Sequence, residues 1–126
     1  MTSSAVFLGI MGLGFTFLPD EIANYLSGLS NQSSILFLQI LGSLYLAFSI
    51  LNWMTRNNPI GGIYGRPLVI GNLVHFVVSS LALIKTVGQY TEMGFWILIF
   101  LTVMYSLFSV AFGYLLMNNP KQVRRT

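Results

Sequence analysis

Apolar residues fill four long intervals of the chain, and charged residues appear only between and after them. The intervals run from about Ser3 to Leu18, Ser34 to Met54, Pro67 to Ile84 and Met93 to Met117. At about 1.5 Å per residue the second and fourth measure about 31 and 37 Å, enough to cross a hydrocarbon core of about 30 Å. The first, at about 24 Å, is short. It is expected to be a retained span rather than a signal peptide, because Met1-Thr2-Ser3-Ser4 has no positive charge and no Ala-x-Ala cleavage pattern follows. Between the first two intervals, Ile22, Tyr25, Leu26 and Leu29 recur at helical spacing, with Glu21, Asn24 and Ser27 on the other side. This predicts a short amphipathic helix over about 20–28, opened by Pro19-Asp20-Glu21, lying in the membrane interface and ending near Gly28. The Gly- and Pro-rich stretch from Asn57 to Pro67 predicts a loop.

The pattern describes an all-α integral membrane protein. Its expected form is a single-domain antiparallel bundle of four transmembrane helices with a short interfacial helix after the first span. Composition points the same way. Nine charged residues in 126 make 7%, against about 25% in an ordinary soluble domain. All nine are expected outside the spans.

Charge placement predicts orientation. In a four-span arrangement both termini and the middle loop share one side, which holds Arg56, Arg66, Lys121, Arg124 and Arg125 and no acid. The other side holds Asp20, Glu21, Glu92 and Lys85. The positive-inside rule then places the N- and C-termini in the cytoplasm of a multi-pass cell-membrane protein. Five of the six cations are thereby topology determinants, and too few remain for a nucleic-acid footprint.

Membrane helices associate through small residues and scattered polar groups. Ala5, Gly9, Gly12 and Thr16 form such a stripe on the first span, and Thr102, Ser106, Ser109 and Gly113 form one on the fourth; the two are candidates to face each other. The second span carries Gly42, Tyr45, Ser49 and Asn52 on one stripe, and the third carries Asn72, His75 and Ser79.

His75 is the chain's sole histidine and, tyrosine aside, the only ionisable group within a span. Such groups mark candidate sites. Counting from the cytoplasmic end places Tyr45 and Ser109 at about its depth, with Tyr105 slightly deeper and Asn72 nearer the cytoplasm. His75, Asn72, Tyr45, Ser109 and Tyr105 are therefore the candidate ligand-binding residues, with a structural, hydrogen-bonded histidine as the competing reading. Arg56 and Arg66 are candidate lipid-headgroup contacts, Arg66 beside the amide end of the third span.

Catalysis is poorly supplied. The spans hold no Asp or Glu for acid–base work, and cysteine is absent, which removes thiol chemistry and Cys-ligated metals. One histidine without a second ligand is a poor metal site, and no cofactor is predicted. Gly61-Gly62-Ile63-Tyr64-Gly65 follows no strand and matches neither the dinucleotide nor the P-loop spacing.

Small multidrug-resistance transporters have this length and span number, but their membrane-embedded glutamate in the first helix has no counterpart here. Phe17-Leu18-Pro19, the amphipathic segment after it, and Gln39-Ile40-Leu41-Gly42-Ser43-Leu44-Tyr45-Leu46-Ala47 resemble DoxX-like four-helix bacterial membrane proteins. That resemblance implies a four-helix bundle in a bacterial membrane and supplies no catalytic residue. The leading expectation is a non-enzymatic membrane protein, either an accessory subunit of a larger complex or a small homo-oligomer, partnered by lipid and membrane polypeptides. The alternatives are a small transporter or channel built around His75, and a membrane enzyme or cofactor binder acting on a lipid-soluble ligand.

Overall fold

The computed structural model describes residues 1–27, 31–57, 65–88 and 94–118. Within them the chain forms five helices and no strand: α1 (Thr2–Phe17), α2 (Pro19–Ser27), α3 (Gln32–Met54), α4 (Gly65–Val87) and α5 (Gly94–Met117). Helices α3, α4 and α5 are each long and apolar enough to cross a membrane, which makes this a multi-pass membrane protein. Helix α1, with 16 residues, reaches spanning length only together with α2, and the chain bends by 94° between them. Three of the four expected spans are thus single helices, and the first is one arm of a bent pair.

Several helix ends lie beyond the uncharged intervals. Helix α3 starts at Gln32 because Asn31 caps it, its side-chain oxygen accepting from the Ser34 amide at 2.7 Å. Helix α4 starts at Gly65, two residues before Pro67; a proline fits the first turn, where its missing N–H has no intrahelical partner to lose. It continues past Ile84 to Val87, which carries Lys85 into the last turn, at the negative end of the helix dipole. Arg66 and Lys85 therefore belong to α4, correcting the expectation that all nine charges fall outside the spans. Both side chains are exposed, and as long stems at helix ends they can reach toward water. The expected loop residues 58–64, Gly28, Leu29, Glu92 and the C-terminal cations lie outside the described residues.

The chain divides into two compact units, Met1–Asn57 and Asn58–Thr126. In the first, α1 closes at Leu18, whose N–H donates to the Gly14 carbonyl at 2.9 Å, and Pro19 immediately opens α2. On α2, Pro19 and Ala23 are buried, Ile22 is half-buried, and Glu21, Asn24 and Tyr25 are exposed; the side chains of Leu26 and Ser27 lie outside the described residues.

Helices α1 and α3 pack with opposite directions, since contacts that advance along α1 retreat along α3: Ser4 meets Asn52, Ala5 meets Ser49, and Gly12 meets Leu46 and Gly42. The stripe Ala5, Gly9, Gly12, Thr16 therefore meets the stripe Gly42, Ser49, Asn52. This corrects the expectation that it faces Thr102–Gly113. In membrane helix pairs close backbone approach supplies the attraction that hydrophobic burial supplies in water, and α3 offers the glycine that permits it.

In the second unit α4 packs on α5. Val69, Asn72, Phe76 and Ser80 are buried on α4, and Leu98, Tyr105 and Phe112 on α5. The seven-residue intervals on α5 keep one seam facing its partner, as in coiled-coil packing. No more than 22% of the most apolar stretch of any spanning helix is buried. Phe37, Val78 and Val110, each more than 60% exposed, have the surrounding acyl chains as solvent.

Candidate functional site

The polar groups of the first unit meet inside the helix pair. Ser49 Oγ donates to the Ala5 carbonyl of α1 at 2.6 Å, Asn52 Nδ2 donates to Ser4 Oγ at 3.3 Å, and Ser4 Oγ donates to the Met1 carbonyl at 2.7 Å. Ser4 and Asn52 are buried to 1% and 0% exposure. This clasp satisfies buried polar groups that would otherwise cost about 1–3 kcal/mol each, the penalty for a lost hydrogen bond. The stripe Ser49–Asn52 is visible in the sequence. Ser4 is not, because it reads as the polar lead-in to the first span.

Tyr45 belongs to this unit, buried, with its ring 5.6 Å from that of Phe15. Arg56 follows the end of α3; its guanidinium lies 4.1 Å above the Trp53 ring and donates to the Trp53 carbonyl at 2.7 Å.

His75, Asn72, Tyr105 and Ser109 belong to the second unit. His75 is half-buried on α4, its ring centroid 5.7 Å from that of Tyr105 on α5 and 5.1 Å from that of Phe76. Phe76, fully buried, centres an aromatic cluster: Tyr105 lies edge-on at 5.5 Å, and Phe108 and Phe112 stack at 4.9 and 5.6 Å. Edge-to-face and offset-stacked rings at these separations attract beyond simple burial. The histidine is thus seated at the border of an aromatic core, which the spacing of Tyr105, Phe108 and Phe112 already outlines as one helix face.

Asn72 is fully buried, and its Nδ2 donates to the Leu68 carbonyl one turn back at 2.9 Å. Ser80 and Thr102 donate similarly to Val77 and Leu98, at 2.9 and 2.7 Å. Hydroxyl and amide groups turned onto their own helix backbone are the ordinary way of keeping polar side chains in hydrocarbon. Ser109 is half-buried one turn beyond Tyr105 on α5. Arg66 is exposed in the first turn of α4. Of the five candidate ligand residues, the structure brings His75 and Tyr105 into ring contact, while Tyr45 packs on Phe15 in the other unit.

Among the described residues no group of three His, Asp or Glu side chains is placed to hold a metal ion. No protein-family model matches the chain, and neither a curated protein nor a solved structure matches it, so the likeness to DoxX-like proteins rests on the quoted residues.

Proposed function

We propose that this protein works as a small non-enzymatic membrane subunit, associating with other membrane polypeptides or with copies of itself. The supporting observation is the contrast between its two kinds of surface. Span hydroxyls and amides such as Ser49, Asn52, Asn72 and Thr102 bond to backbone or to one another, whereas large apolar side chains stand outward on every long helix. A protein organised this way offers helix faces for packing rather than a polar reaction centre.

In this reading the chain forms an antiparallel bundle of four spans. Helix α1 is the short first span, and α2 lies in the interface, as its 94° bend from α1 and the exposed Asp20 and Glu21 favour. Both termini face the cytoplasm with the majority of the cations. Arg66 stands at the rim, where a lipid phosphate is its natural contact.

Native mass spectrometry after extraction in mild detergent tests the reading. The expected result is a defined oligomer or a co-purifying membrane polypeptide. A strictly monomeric protein with no polypeptide partner overturns it.

A further inference from the structure

An open groove with a cavity volume of 350 Å³ runs between α1 and α3. Its floor is small, Ala5 and Gly9, and its walls are Val6 and Ile10 from α1 and Ile50 and Trp53 from α3. Val6 and Ile10 are one turn apart, as are Ile50 and Trp53, so the groove follows the helix axes. Its volume lies at the lower end of the roughly 300–1,000 Å³ of ligand pockets. The Ser49 hydroxyl beside it donates to the Ala5 carbonyl, which leaves the lining effectively apolar.

One end of the groove carries a charge. Trp53 forms the wall there, and the Arg56 guanidinium is held over the Trp53 ring by the 4.1 Å cation–π contact and the 2.7 Å bond to the Trp53 carbonyl. Guanidinium has five N–H donors in a planar fork suited to phosphate oxygens, and its contacts with Trp53 place it at the groove's end. We propose that this groove binds an anionic phospholipid of the surrounding leaflet, one acyl chain lying between α1 and α3 and the phosphate resting on Arg56.

The charge argues for lipid over a second copy of the chain. The acids of this unit, Asp20 and Glu21, follow the far end of α1, about 24 Å along the helix from the Arg56 end at about 1.5 Å per residue. A second copy inserted in the same orientation would set arginine near arginine. An extended acyl chain fits a groove that follows the helix axes, and its phosphate supplies a negative charge to meet Arg56. The inference stands apart from the proposed subunit role, since a monomer could carry this lipid equally well.

The chain contains two tryptophans, and Trp96 is 75% exposed, so Trp96→Phe leaves Trp53 as the sole reporter in the full-length protein. It is reconstituted into phosphatidylcholine vesicles in which either phosphatidylglycerol or phosphatidylcholine carries brominated acyl chains. Brominated phosphatidylglycerol is expected to quench Trp53 at about fivefold lower mole fraction, the effect of about one cation near an anionic surface. Arg56→Gln is expected to remove that preference while quenching by brominated phosphatidylcholine persists, and Arg56→Lys, which keeps the charge, to retain it. Equal quenching by both lipids in the protein with Arg56 intact overturns the proposal. So does a preference that survives Arg56→Gln, or a Trp53 shielded from both lipids by a second copy.

Discussion

Gly12 on α1 and Gly42 on α3 face each other across the helix pair so closely that a Cβ on either would lie 3.0 Å from the carbonyl oxygen of the other. The relationship is reciprocal, and backbone as well as side chain closes the space: the same Cβ positions lie 2.9 Å from the amide nitrogens of Leu46 and Thr16, and that of Gly12 lies 2.8 Å from Leu46 Cγ. Thr16 Oγ1, buried and without a hydrogen bond among the described residues, lies 2.5 Å from the Gly42 Cβ position. A side chain at Gly42 would therefore collide with both the Thr16 hydroxyl and the facing backbone. The dispersion gained at such close backbone approach is what holds membrane helices together when hydrophobic burial offers little.

Substitution at this contact should separate from substitution at other glycines. Gly12→Ala and Gly42→Ala each force the backbones apart and are expected to destabilise the α1/α3 pair by about 1–3 kcal/mol, the usual range for overpacking. Gly88→Ala, with nothing within 4 Å, and Gly113→Ala, with only Leu73 Cδ1 at 3.9 Å, are expected to remain within about 0.5 kcal/mol of the parent. Unfolding titrations in mixed detergent micelles followed by circular dichroism give the order, and equal effects at Gly12 and Gly113 would contradict it.

The Ser4–Asn52 bond should register as a coupling energy. In a double-mutant cycle of Ser4→Ala and Asn52→Ala the interaction is expected at about 0.6 kcal/mol, and below about 1.7, the span found for hydrogen bonds between membrane helices. Additive single effects would mean the 3.3 Å contact contributes nothing.

The aromatic cluster of the second unit predicts unequal tolerance around His75. Phe76→Ala empties the centre of four rings and should cost about 3 kcal/mol. His75→Phe preserves a ring at the 5.7 Å contact with Tyr105 and should keep the melting temperature within a few degrees of the parent. Melting in detergent checks both. A fold that tolerates His75→Phe while losing a ligand or ion flux would identify the imidazole nitrogens, rather than the ring's bulk, as the functional element.

Orientation is accessible because the chain has no cysteine of its own. Asp20 follows α1, Asn57 follows α3, and α3 is long enough to cross the membrane between them. Single-cysteine variants Asp20→Cys and Asn57→Cys should therefore react with a membrane-impermeant thiol reagent from opposite sides. Asp20→Cys is expected to label on intact cells and Asn57→Cys only after they are broken; the reverse pattern would invert the proposed topology.

Residue order alone determines that this chain lives in a membrane and where its long helices run. Uncharged runs near 20 residues have no other solvent that accepts them, and that constraint is local enough to read from a linear pattern. It also marks the stripes of small and polar residues, including Gly12 on one span and Gly42 on another. Tertiary structure decided which stripe meets which. Stripes of equal spacing on different spans are interchangeable in one dimension, so the partner of Gly12 depends on backbone proximity: α3 brings a glycine to the place where any larger residue would clash. Helix ends were likewise settled by three-dimensional detail. The Asn31 cap and the tolerance of Pro67 in a first turn extend α3 and α4 past the charge-free boundaries. The ring partners of the candidate residues, Phe15 for Tyr45 and Tyr105 for His75, have the same origin, because depth along a span says how far a residue lies from the membrane surface but not toward which neighbour its side chain points.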